Sequence, residues 1–563
     1  MKNVLLLLSS VLCLSVATQA QTWNRAEINI NQVRTGINSN GDLFWYYTSS
    51  LNYEVPQSGG AHTLLAGAAW IGGLDAGANL HLAAQTYRQT GDDFFPGPVM
   101  NPSSYSAATD AQWNNVWKIN KSTIDSFVMA QLNPMPGYVI PYSITSWPGN
   151  GDVQAGQAAQ LAPYVDVDAD GVYNPQAGDY PCIKGDQALF VIYNDHRNLH
   201  TETGAQPLGV EVHAMMYAYS APGTWLDSAI FINYKLYNRS TMTYSNVYWG
   251  NWNDFDLGSP FDDYVGCDVG RSIGYVYNGN ANDGPTPQPV AGTYGANPPA
   301  QGITYLRGPE ADAMDGVDND RDGTIDEPGE TCMMSHFMFY HNDFSVTGNP
   351  VTAMDHYNYL SGFWKDGSPW TYGGAGYGGS TVSDFMFPGD SDPTGWGTNG
   401  IPQVPWYESS TPSDRRGLVS SGPFTLQPAE SMCIDVAYIF GRGNNGPASS
   451  VAAMQVATDS AHSFYAANHP CECDPVTVGV EEQQTALVGI YPNPASDNVN
   501  IICGENATGS IVEIMDVNGK VVKTATVLSG NSAVIETNGF APGVYFVRVK
   551  KGSVVLTGRF IRN

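Results

Sequence analysis

Ala229-Ile230-Phe231-Ile232-Asn233-Tyr234-Lys235-Leu236-Tyr237 is the stretch on which the fold class turns. Successive side chains of a strand point to opposite faces. One row is then Ile230, Ile232, Tyr234 and Leu236, and the other is Phe231, Asn233, Lys235 and Tyr237. The alternation suits a half-exposed sheet, and both rows are partly apolar. β-Branched and aromatic residues dominate the run, and neither Gly nor Pro interrupts it. It is therefore expected to be a central strand of a β-sandwich.

Working outward, residues 187–193, 211–219, 417–424 and 433–440 also read as strands, and the Ala/Gly/Leu-rich run 62–74 as a buried strand or packed turn. Segments 278–309 and 367–410 are rich in Gly, Pro and Asn and read as long loops, which in a compact chain need a staple or a function. One helix is expected over 451–467, capped by Ser449 or Ser450, with an apolar stripe through Val451, Met454, Ala457, Ala461, Phe464 and Tyr465. Composition agrees: only 14% of residues are charged, against 61 Gly, 36 Pro and 32 Tyr, which favours short strands joined by structured loops. The expected architecture is mainly β. One or two sandwich-like units with long loops fill residues 21–475, with room for a sub-domain boundary near 200. A short helix, a linker at 476–486 and a small Ig-like β-sandwich at 487–563 follow.

Residues 487–563 are short β-type runs between turn signals: Tyr491-Pro492-Asn493-Pro494-Ala495-Ser496-Asp497, Asp516-Val517-Asn518-Gly519-Lys520, and Pro542-Gly543-Val544-Tyr545-Phe546-Val547-Arg548-Val549. The chain closes on Gly558-Arg559-Phe560-Ile561-Arg562-Asn563. This series resembles the type A C-terminal sorting domain of the type IX secretion system, which Bacteroidetes-type bacteria use to cross the outer membrane. The resemblance implies delivery through the periplasm to the cell surface or medium, with the secretion machinery as partner of residues 487–563. It also implies removal of that domain during sorting. The N-terminus reads as a signal peptide over 1–20: Lys2, an apolar run over 4–16 too short to span a bilayer comfortably, then Thr18-Gln19-Ala20. No later run approaches twenty apolar residues, so no transmembrane segment is expected.

Net charge is −29; residues 487–563 carry +2 and Lys2 one more, leaving −32 on residues 21–486. So acidic a body excludes nucleic acid as a natural partner, because phosphate binding needs clustered Lys and Arg. It favours cations. With Cys13 in the signal and Cys503 in the sorting domain, six body cysteines remain: Cys182, Cys267, Cys332, Cys433, Cys471 and Cys473. An even number in an exported chain predicts disulfides.

Two acidic loops carry the clearest chemistry. Asp166, Asp168 and Asp170 alternate before Gly171, with Asn174 and Asp179 beyond; Asp318, Asp320 and Asp322 alternate before Gly323, with Asp326, Glu327 and Glu330 beyond. Ca2+ takes six to eight oxygens, and side chains at loop positions 1, 3 and 5 wrap one ion while Gly turns the chain. Position 12 of an EF-hand would be a bidentate Glu, but here it is Ala177 or Gly329. The loops more closely resemble those of thrombospondin type 3 repeats or dockerins, where position 9 contributes; Asn174 and Asp326 stand there. The expected ligands are Asp166, Asp168, Asp170, Asn174 and Asp179 in one loop, and Asp318, Asp320, Asp322, Asp326 and Glu330 in the other.

Other candidates are weaker. Asp254, Asp256, Asp262, Asp263 and Asp268 form a third acidic stretch, read first as turn structure, then as a metal site, and last as a carboxylate pair for glycoside hydrolysis. His196 and His200 lie in loop-like sequence without an HExxH pattern. Trp249, Trp252, Trp364, Trp370, Tyr372, Trp396 and Trp406 are mostly expected in the core, with some free to stack on a glycan or other cell-surface polymer. The sequence thus favours an exported, calcium-stabilised binding or structural protein. The competing class is a secreted hydrolase acting on polysaccharide.

Overall fold

The computed structural model describes residues 23–45, 52–87, 91–133, 136–285, 290–468, 489–502, 507–516, 520–527, 530–551 and 554–563. The expected signal peptide, the 476–486 linker, Cys471, Cys473, Cys503 and the Val517-Asn518-Gly519 turn lie outside them. The chain divides into two compact units, Met1–Pro475 and Val476–Asn563.

In the first unit, Ala229–Asn238 is an inner strand of a nine-stranded sheet, pairing antiparallel with Val210–Ala218 and Ser431–Gly441. The sheet continues through Gln187–Asn194 to Phe95–Pro96 at one edge. At the other it runs through Ala300–Arg307 and Ile273–Asn278 to Asp263–Asp268. A six-stranded sheet, centred on Tyr244–Phe255 between His62–Leu74 and Arg415–Leu426, faces it. Ile230, Ile232, Tyr234 and Leu236 are wholly buried and share one core with Trp70, Trp249, Trp252 and Leu418 of the opposing sheet. Each such burial is worth about 1.5–3 kcal/mol. Tyr305 stitches the layers: its hydroxyl donates to a backbone carbonyl of the second sheet (Trp249 or Val419, each 3.1 Å) and accepts from Asn251 at 3.0 Å. The chain is mainly β, as expected.

The second row of the 229–238 strand divides along its length. Phe231 is buried against the rings of Trp225 and Phe464, part of an outer core where the Gly446–Asn468 helix lays Met454 and Ala461 on Ile273 and Ile439. Asn233, Lys235 and Tyr237 stay only half-buried. The helix begins five residues before its expected start, so Ser449 and Ser450 lie inside it and donate to Gly446 O and Pro298 O instead of capping. Ala300–Arg307 is a full strand within the segment read as loop. Helices Ala107–Trp113, Lys121–Leu132, Tyr142–Thr145 and Ala353–Leu360 add to the one expected.

The disulfide expectation fails for two cysteines. Cys267 and Cys332 are buried free thiols; Cys182 and Cys433 are disulfide-bonded, and no bridge joins two described cysteines. Cys267 donates to Met386 O at 3.4 Å and Cys332 to Pro423 O at 3.6 Å, each behaving as a small core side chain. Burial pushes the Cys332 thiol up to about 12, so it stays protonated and unreactive.

In the second unit, a three-stranded sheet (Gly489–Tyr491, Asn498–Ile502, Ser532–Glu536) and a four-stranded one (Val521–Thr526, Ile511–Met515, Gly543–Lys551, Val554–Arg562) enclose Val499, Ile501, Ile514, Val547 and Phe560. It is a small β-sandwich.

Candidate metal centres

The two acidic loops adopt one backbone design. In each, the Asp at position 1 accepts the N–H of the Gly at position 6: Asp166 from Gly171 at 2.7 Å, Asp318 from Gly323 at 3.0 Å. In each, the Asp at position 5 accepts the N–H at position 7, Asp170 from Val172 and Asp322 from Thr324, both at 2.8 Å. A carboxylate from beyond the loop closes back on position 2: Asp179 accepts from Val167 at 2.8 Å, and Glu330 accepts from Asn319. Position 4 is left-handed in both, Ala169 at φ 58° and Arg321 at φ 65°. Position 6 also needs positive φ, 79° and 99°, which is why Gly stands there. The closing carboxylate comes from position 13 or 14, which explains why position 12 is dispensable.

This design gathers oxygens. Asp166, Asp168 and Asp179 present carboxylate atoms within 4.8 Å of one another. So do Asp318, Asp320 and Asp322, and so do Asp320, Glu327 and Glu330, with Asp320 common to both groups. Asp318 is 8% exposed, and its Oδ1 has no hydrogen-bond partner; neither has the buried Oε2 of Glu327. Orphaned buried carboxylate oxygens are costly unless something else satisfies them. Lost solvation pushes the Asp168 carboxyl up, reinforced by the neighbouring charge of Asp170. Asp320 is raised by burial, which the Asp322 N–H opposes and the charges of Asp322 and Asp318 augment. A divalent cation would relieve all of these strains, so the donor set fits Ca2+.

Two expected carboxylate ligands, Asp170 and Asp326, fall outside these groups; Asp326 Oδ1 accepts from Gly316 N at 3.1 Å. Asn174 Oδ1 accepts from Gln176 N at 3.1 Å. Glu327 is a gain. It sits at position 10, off the alternation of positions 1, 3 and 5.

The third acidic stretch separates into two environments. Asp254, Asp256 and Asp414 come together, yet Arg416 sits among them: it donates to Asp254 at 3.2 Å, to Asp414, and to the Tyr87 hydroxyl at 2.9 Å. That cluster already holds its counter-ion. Asp262, Asp263 and Asp283 accept backbone N–H groups from Gly284, Leu257 and Ser259, which is turn structure. His200 is buried between Leu82 O and Asp195 O. Trp249, Trp252, Trp364 and Trp370 are fully buried, whereas Trp396 is 43% exposed.

Among solved structures, one titled a polysaccharide lyase aligns at 8% identity over 62% of this chain and 34% of that one, with a TM-score of 0.19. The alignment spans about a third of that protein, and so low a score carries no argument here. No curated protein matches the chain. Among the described residues no helix is long and apolar enough to cross a membrane. Residues 489–563 match the family described as the Secretion system C-terminal sorting domain. The chain carries the sorting tail of the type IX secretion system and is a secreted or cell-surface protein.

Proposed function

We propose that the body of this protein is a calcium-stabilised binding or structural module displayed outside the cell, with the sorting tail as its means of delivery. The observation that carries this reading is the second acidic loop, where Asp318, Asp320, Asp322, Glu327 and Glu330 converge and two buried carboxylate oxygens lack partners. Calcium there would be held by Asp318, Asp320, Asp322, Glu327 and Glu330, and in the first loop by Asp166, Asp168 and Asp179. Its role is to neutralise clustered carboxylates and fix two irregular segments to the sandwich. With extracellular-type affinities of about 0.1–1 mM in millimolar calcium, each ion contributes about 0.4–1.4 kcal/mol.

The test is thermal melting of the full chain in calcium and in chelator, beside Asp320→Ala. Calcium should raise Tm in the parent, and the gain should shrink in the variant. Identical melts with and without calcium would sink the reading. The hydrolase reading gains nothing specific: Asp263 is wholly buried and bound to Leu257 N–H, poorly placed to reach a glycosidic bond.

A further inference from the structure

Residues 21–486 contain five lysines: Lys118, Lys121, Lys184, Lys235 and Lys365. Two of them, Lys184 and Lys235, line one cleft of about 410 Å³ on the outer face of the nine-stranded sheet. Its floor is the row left open on the central strand, Asn233, Lys235 and Tyr237, and its wall includes Tyr164. Among the described residues Lys235 forms no ion pair, and its ammonium lies 5.7 Å from the Tyr237 ring centroid. Lys184 also faces buried Asp435, whose carboxyl burial pushes up and Lys184 helps draw back. In a body of charge −32, two ammoniums in one concave site make an exception that calls for an anionic ligand. Tyrosine rings beside polar groups suit the flat faces and hydroxyls of a sugar.

One acidic residue shares the cleft: Asp166, the first ligand of the first loop, stands at its rim. Without a metal, Asp166, Asp168 and Asp179 would repel an anion; one Ca2+ cuts their three negative charges to a net one, and the repulsion weakens. We propose that this cleft binds an acidic oligosaccharide, its carboxylates on Lys184 and Lys235, and that calcium in the Asp166 loop raises its affinity. The second half rests on the calcium reading above; the first half stands without it.

The experiment is calorimetric titration of the full chain with tetragalacturonate, with maltotetraose as the neutral control, in 1 mM calcium and in chelator. Tetragalacturonate should bind and maltotetraose should not. Lys235→Gln should weaken binding about tenfold or more, as loss of a charge-assisted hydrogen bond requires, with Tm unchanged; Lys184→Gln should weaken it as much, with a lower Tm because buried Asp435 loses a neighbouring positive charge. Asp168→Asn at constant calcium should reproduce the chelator effect, which separates calcium on the protein from calcium on the sugar. Absence of tetragalacturonate binding in a protein whose Tm still responds to calcium overturns the cleft and spares the calcium reading. Equal binding of both sugars, or full binding by both lysine variants, also overturns it. Lysine-dependent binding indifferent to chelator and to Asp168→Asn overturns the calcium half alone.

Discussion

Asp318 offers a sign test that a merely structural aspartate would not pass. Its Oδ2 accepts the Gly323 N–H at 3.0 Å, a bond that an asparagine oxygen retains, while its Oδ1 is buried without a partner. In chelator, Asp318→Asn should stabilise the protein by about 0.5–1 kcal/mol, because one of several crowded charges is gone. In calcium the same substitution should destabilise it, because a charged ligand is gone. Melts of both proteins in both buffers check whether the order of Tm inverts. A second prediction concerns Glu211, buried and hydrogen-bonded by His213 at 2.9 Å, Arg239 at 2.7 Å and Val99 N–H at 2.7 Å. Burial alone would raise this carboxyl; the bonds and charges of His213 and Arg239 outweigh it and hold it down to about 2. A depressed carboxyl stabilises the fold above its unfolded value near 4.5, and that stability is lost as pH falls from there toward 2. Glu211→Gln should therefore cost about 3 kcal/mol at pH 7 and much less at pH 2.5. Urea titrations at the two pH values measure the difference.

At the scale of elements, the outer core depends on how closely the Gly446–Asn468 helix approaches the sheet. A Cβ placed on Gly441 would meet the Met454 backbone N at 2.2 Å and its Cα at 2.5 Å. Backbone does not give way as a side chain does. Gly441→Ala should lift the helix from the sheet and cost about 1–3 kcal/mol, read as a lower denaturation midpoint. Gly302→Ala, whose nearest neighbours are side-chain atoms of Ile273 and Met454, should cost less. The sequence made the sheet legible wherever period-two runs were uninterrupted, as in 229–237. It hid Ala300–Arg307 behind the Gly/Pro/Asn-rich residues that precede it. Lys121–Leu132 went unrecognised because its buried positions, Ile124, Phe127 and Ala130, recur every third residue and form only a narrow stripe. The metal loops were legible because their ligands are local: a turn of about fourteen residues brings them together. The Lys184–Lys235 cleft was not, since its residues lie 51 positions apart and only sheet pairing unites them.

For the whole molecule, the charge of −32 on residues 21–486 makes two cation effects separable. Sodium only screens self-repulsion, whereas calcium also occupies sites, so at matched ionic strength calcium should give the higher Tm. The gain stays small. Two ions supply about 1–3 kcal/mol, and for a body of this length about 1 kcal/mol corresponds to about 1 °C, so the shift should be about 1–3 °C. A much larger shift would mean that calcium binds beyond the two loops. The sorting tail calls for the opposite outcome in stability and a larger one in location. Each unit has its own core, Trp70, Trp249 and their neighbours in the body, and Val499, Ile514 and Phe560 in the tail. Deleting residues 487–563 should therefore leave the body folded with its calcium-dependent melt intact, yet trapped in the periplasm. Cell fractionation with a protease-accessibility assay on intact cells distinguishes the compartments. Normal surface delivery of the folded truncation would refute the tail's role, while an unfolded truncation would show that the body depends on a unit it is expected to outlive.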